Sequence, residues 1–78
     1  MSTLHIAYST QGAHRATARM SHDDELILLG DGVYFSSDSP HRVLYEDAVA
    51  RGLSSTDTIS YDEMVELSIV HAKIVSWP

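Results

Sequence analysis

Three residues of catalytic type, His5, Thr10 and Asp31, fall where strand ends can bring them to one rim. A strand-end aspartate beside a hydroxyl and an imidazole is the minimum for a small hydrolase or a phosphate-binding protein. Each residue also has a plainer role. Asp31 lies in Gly30-Asp31-Gly32, where glycine tolerates positive φ and the aspartate can hydrogen-bond its own turn. His5, between Leu4 and Ile6, fits a partly buried or edge position, and the hydroxyls of Ser9 and Thr10 fit a helix cap or an anion contact. His22, Asp23, Asp24 and Glu25 are ligand types in a row, but adjacent loop side chains seldom converge, so no metal is expected. Glu63 and Glu66 suit a solvated helix face unless a pocket separates their pKa values. Serine and histidine recur, but sequence spacing alone does not mark a triad. Gly30-Asp31-Gly32 lacks both the further glycine of a dinucleotide fingerprint and the Gly-Lys-Ser/Thr of a phosphate loop, so no cofactor is expected. The chain has no cysteine, which excludes a disulfide, a thiol nucleophile and a sulfur-carrying group within it.

These residues depend on one stretch for their placement. Leu26-Ile27-Leu28-Leu29 is an unbroken apolar run, too short for a membrane span and too continuous for a half-wet strand. It predicts a central strand covered on both faces, with residues 30–34 at its carboxyl rim. A first strand is expected over 4–8, with Leu4, Ile6 and Tyr8 of one parity and Ala7 of the other. A loop over 9–12 then leads into a short helix over 13–20, whose Ala13, Ala16, Thr17 and Met20 form a small-residue face. Arg15 and Arg19 are neighbours on that helix and form a modest positive patch. The stretch 30–41 is barely long enough for a parallel crossover, so a short helical turn over 33–36 and a polar loop over 36–40 are expected.

Residues 42–45 read as a third strand and 46–51 as a helix, acidic at its start and basic at its end, closed by Gly52 and Leu53. After a loop over 54–57, Thr58-Ile59 reads as a short edge strand. Ser60 and Glu63 have capping-box spacing, opening a helix through residue 72 with Met64, Leu67 and His71 in one stripe. Ile69 and Val70 broaden its apolar surface, and residues 73–77 return as a last strand ending in Trp77. Tyr34 and Phe35 suit core packing or a subunit contact, and Trp77 can seal the sheet or an interface.

Seventy-eight residues make a single domain, 1–78, that buries only about 60% of its unfolded surface, so association with itself or another chain is expected. Eleven acidic against five basic residues give a net charge of -6, which argues against direct nucleic-acid binding. Residues 1–8 have no basic segment before an apolar core, and no apolar run reaches the length of a span. A cytoplasmic protein without membrane contact is therefore expected.

The ordered motifs resemble the DsrH/TusB family of small sulfur-relay proteins. The likeness begins at Leu4-His5 and strengthens over 25–34, where an apolar strand precedes Asp-Gly-Val. It continues from Tyr45 to Leu53, with an acidic pair and Ala-Arg-Gly-Leu, and closes with Tyr61-Asp62, Val65, Leu67, His71 and Trp77. The resemblance implies a three-layer α/β domain of the DsrEFH type, with a mostly parallel sheet of four or five short strands in the order 4-3-2-1-5. It also implies a non-catalytic subunit that assists persulfide transfer by a cysteine-bearing partner, toward the wobble uridine of tRNA in one branch and in sulfur oxidation in another. Where the DsrH-like branch has a first-helix cysteine, this chain has the region of Ala16. Partners would be DsrE/TusD-like and DsrF/TusC-like subunits, with Arg15, Arg19, Tyr34, Phe35, His71 and Trp77 as candidate contacts. The competing expectation is a stand-alone homo-oligomer of the same fold with a binding or regulatory role.

Overall fold

A computed structural model describes residues 2–36, 40–53 and 57–78. Five strands alternate with helices: β1 (Thr3–Ala7), α1 (Thr10–Thr17), β2 (Glu25–Leu28), β3 (Arg42–Leu44), α2 (Tyr45–Ala50), β4 (Thr58–Ile59), α3 (Tyr61–Val70) and β5 (Lys73–Trp77). A 3-10 helix, Gly30–Tyr34, makes the crossover between β2 and β3. The sheet order is β4-β3-β2-β1-β5, and every strand pair is parallel. The α/β class and the 4-3-2-1-5 order are as expected. Residues 37–39 and 54–56, within the expected loops, lie outside the described residues.

Two cores separate by strand parity. Ala7, Leu26, Leu28 and Val43 pack with Ala13 and Ala16 of α1 and Ala48 of α2. Alanines on the helices let α1 and α2 lie close to that face. Leu4, Ile6, Ile27 and Ile59 form the other core, under Met64 and Leu67 of α3. Leu26, Ile27 and Leu28 are all buried, as a strand covered on both faces requires.

Several boundaries differ from expectation, each for a local reason. α1 starts at Thr10 because Ser9, in extended conformation, accepts a hydrogen bond from the Gly12 N–H at 2.9 Å. Thr10 and Gln11 are therefore helical rather than part of a rim loop. β1 ends at Ala7, and Tyr8, expected within it, is exposed. The turn over 33–36 begins three residues earlier, at Gly30, whose φ of +52 suits glycine. β3 stops at Leu44, and Tyr45 opens α2.

α2 ends in the expected glycine cap: Leu53 N–H bonds to Ala48 O at 2.9 Å and Gly52 N–H to Val49 O at 3.0 Å. The capping box of α3 is also present, with Glu63 N–H donating to Ser60 Oγ and Ser60 N–H to Glu63. That helix ends at Val70 rather than residue 72, and none of its residues is buried. Among the described residues no helix is long and apolar enough to cross a membrane.

The close approach of α1 to the end of β5 makes Gly12 a sensitive position. A Cβ there would lie 2.5 Å from Trp77 O, a backbone atom that cannot swing aside. At Gly52 a Cβ meets nothing within 4 Å, so only the positive φ of +69 opposes it. Gly12→Ala is expected to lose about 2 kcal/mol or more and Gly52→Ala about 1 kcal/mol in urea unfolding. Equal losses would contradict this packing.

Candidate functional site

The carboxyl rim is where an open parallel sheet usually carries its chemistry. Here it is filled by backbone. Leu29 N–H bonds to Ala7 O at 2.9 Å and Tyr8 N–H to Trp77 O at 3.0 Å. Gly32 fits against the end of β1 so closely that a Cβ would lie 2.8 Å from Ala7 O and 3.3 Å from Ser9 N. Gly12 closes the other side of β1 against Trp77.

Asp31 does not hold its own turn, contrary to expectation. Gly30 N–H donates to Asp47 Oδ2 at 2.8 Å, so α2 supplies the carboxylate that fixes the turn. Asp31 points outward, 77% exposed in its side chain, and pairs with Arg51 at 3.2 Å. Arg51 also donates to Asp47 O at 3.3 Å. An exposed pair of this kind contributes little stability. It orients Arg51 more than it arms Asp31.

His5 sits elsewhere. It lies on β1, an interior strand between β2 and β5, and is 4% exposed rather than at an edge. Trp77 Nε1 donates to His5 Nδ1 at 3.0 Å, and the two rings stack with centroids 6.1 Å apart. An indole N–H can only donate, so Nδ1 is the acceptor and the proton is on Nε2. That N–H faces Asp24 Oδ2 at 3.1 Å. Both imidazole nitrogens are thus engaged, and neither is left to work with Thr10 or Asp31. The alternative hydrolytic constellation of His5, Thr10 and Asp31 is not assembled.

Asp24 is the multiply bonded side chain that spacing did not reveal. Its Oδ1 accepts from Thr3 N–H at 2.9 Å and its Oδ2 from Ser21 N–H at 3.1 Å, besides His5. The backbone donors Ser21 and Thr3, helped by His5, hold its carboxyl at about 2 against an ordinary 3.8, although burial pushes the other way. Glu25, the next residue, faces the opposite side of the sheet. His71 Nε2 donates to Glu25 Oε2 at 2.8 Å, and Ser2 Oγ and His71 Nδ1 share a hydrogen bond at 2.9 Å. Serine, imidazole and carboxylate in line have the order of a nucleophile, its base and an orienting group. The nearest cleft, about 250 Å³, is lined by Glu25, Ile27, Pro40, Arg42 and Leu67 but not by Ser2 or His71. That cleft does not reach the serine, and the array ties Ser2, Glu25 and His71 together across the chain.

The remaining candidates divide by exposure. Arg15, Arg19 and Tyr34 face solvent, with Arg15 donating to Pro78 O at 2.8 Å. Phe35 is half-buried and lines, with Tyr34, Val33, Val43 and Leu53, a second cleft of about 260 Å³. His71 and Trp77 are committed to the ties just described. No group of three or more possible metal ligands occurs among the described residues. The chain matches no protein-family model and no characterised protein.

The Asp24 tie has a measurable pH signature. A carboxyl held below its ordinary value adds stability that is complete above the unfolded pKa and is lost as pH falls through the window from about 3.8 to about 2. Asp24→Asn is expected to lose on the order of 2 kcal/mol at neutral pH. The gap between variant and parent should shrink as pH falls through that window, as read by denaturant midpoints. A gap of the same size at both ends would refute this account of Asp24.

Proposed function

We propose that this chain is a non-catalytic subunit of a sulfur-relay assembly, supplying shape and contact surface to a cysteine-bearing partner that carries the persulfide. The observation that carries the reading is the closed carboxyl rim. Where this kind of sheet usually holds its reacting groups, the chain places Gly12 and Gly32 against its own backbone. Ala16, in the region that corresponds to the family's first-helix cysteine, is fully buried in the core. The strand order agrees with the resemblance, and the lack of any thiol fits a reading in which another chain carries the covalent step. DsrE/TusD-like and DsrF/TusC-like subunits are the partners this reading names, and the tRNA wobble uridine is the acceptor it favours. With a net charge of -6, the partner rather than this chain would meet the RNA. The exposed Arg15, Arg19 and Tyr34 are its candidate contacts, beside the apolar cleft that Phe35 lines.

Reconstitution with labelled sulfur tests the reading. Label should appear on the cysteine-bearing partner only, and transfer or complex stability should fall when this chain is omitted. Reductant-sensitive sulfur on the isolated chain, or identical assembly and transfer without it, would sink the proposal. Capture from native cells that never recovers a cysteine-bearing relative would do the same.

A further inference from the structure

We infer that His5 is an acid-sensitive latch on the last strand: a second proton, taken up at Nδ1, cuts the hydrogen bond from Trp77 and loosens the carboxyl end of β5 from β1. This goes beyond the sulfur-relay reading and does not rest on it.

The latch has two sides. Trp77 Nε1–H donates to His5 Nδ1 at 3.0 Å, and His5 Nε2–H faces Asp24 Oδ2 at 3.1 Å. The indole nitrogen can only donate, so its bond exists only while Nδ1 keeps a lone pair. A proton taken from solvent consumes that lone pair. Two N–H groups then face each other at hydrogen-bond distance, and the indole must turn away. At Nε2 nothing has to move, because an imidazolium still donates there.

The surroundings accommodate the charged ring. The backbone N–H groups of Ser21 and Thr3, helped by His5, hold the Asp24 carboxyl at about 2, so it stays ionised through mild acid. Those same donors fix it beside Nε2 in advance. The side chains of His5 and Asp24 are 6% and 7% exposed, so an imidazolium there forms a charge-assisted bond shielded from water. The elements packed around the ring are otherwise mainly apolar. β2 pairs Leu26 with His5, while Glu25 faces the opposite side of the sheet. α1 buries Gly12, Ala13 and Ala16, leaves His14 and Arg15 exposed, and bonds Arg15 to Pro78 O. β5 pairs Val75 with His5, and its Lys73, opposite Thr3 on the same face, is exposed.

β5 is an edge strand that bonds only to β1, so its carboxyl end has few other holds. There the Trp77 side chain is tied to His5, and Trp77 O accepts from Tyr8 N–H at 3.0 Å. Trp77 also packs against the core on the α1 side, which a turned indole disturbs. On the other flank of β1, Leu29 N–H bonds to Ala7 O without using the imidazole.

Nuclear magnetic resonance of the full chain tests the inference. Trp77 is the one tryptophan, so its indole N–H gives a single signal. The nitrogen–nitrogen coupling across the bond from Trp77 Nε1 to His5 Nδ1 should be present at pH 8 and lost at pH 5, the span in which imidazoles ordinarily change charge. Over the same span the hydrogen-exchange protection of the Tyr8 amide should fall at least tenfold, while that of Leu29 holds. His5→Gln offers a carbonyl to the indole and an N–H to Asp24 but takes up no proton, and should abolish the Tyr8 response. Asp24→Asn removes the charge that supports the imidazolium, so the coupling should persist to lower pH. If either substitution disturbs folding, the coupling and the Tyr8 exchange of the parent chain decide. A coupling unchanged at pH 5, a Tyr8 amide that keeps its protection when the coupling is lost, a Tyr8 response that survives His5→Gln, or an Asp24→Asn chain that loses the coupling at the parent's pH would overturn the inference.

Discussion

The Asp24 carboxylate holds the amino end of this sheet together. It sits at the entry to β2 and accepts hydrogen bonds from the start of β1, from Ser21 in the preceding loop and from His5. Through His5 it also reaches Trp77, on the last strand. A single side chain thus ties the first strand, the second and the fifth. A buried carboxylate without partners would be strongly destabilising, so the full set of donors decides whether this group helps or harms the fold. Glu25 repeats the device on the opposite face, because consecutive strand residues point to opposite sides. Its partner His71 fastens the turn between α3 and β5 to the start of the chain at Ser2.

The carboxyl end is built by a different rule. Polar side chains hold the amino end, whereas the carboxyl end is held by glycines that let backbone meet backbone. Gly12 brings α1 against β5, and Gly32 brings the 3-10 helix against the end of β1. The ordinary place for a ligand in such a sheet is therefore occupied by the chain itself. Asp31, the aspartate most suggestive of chemistry, is outside this packing, while Asp47 does the structural work on Gly30.

Local signals in the sequence were legible because local physics decides them. The continuous apolar run gave the central strand, Ser60 and Glu63 gave a helix start, and Gly52 gave a helix stop. The strand order followed from the resemblance rather than from periodicity. Pairings across the chain were not legible. Asp24 and His5 are 19 residues apart, and Glu25 and His71 are 46 apart, so spacing carries no trace of either bond. The start of α1 was missed because Gly12 disfavours a helix by propensity, while the Ser9 cap and the close contact with β5 outweigh that preference. Ile69 and Val70 broaden the apolar surface of α3, yet both stand exposed. Periodicity cannot choose the inward stripe when apolar residues occupy most of a helix's circumference.

That last ambiguity reflects the asymmetry of the two layers. On one face α1 and α2 use Ala13, Ala16 and Ala48 to approach the sheet, and the 3-10 helix adds Val33. On the other face α3 alone reaches the core through Met64 and Leu67. A parallel sheet needs both faces covered, and a single ten-residue helix covers the second one thinly. Ile69 and Val70, on the outside of α3, are left exposed. The thicker layer lies over the other face. In a domain whose burial is limited by its size, added apolar contact on the thin side stabilises more than further packing on the side already filled.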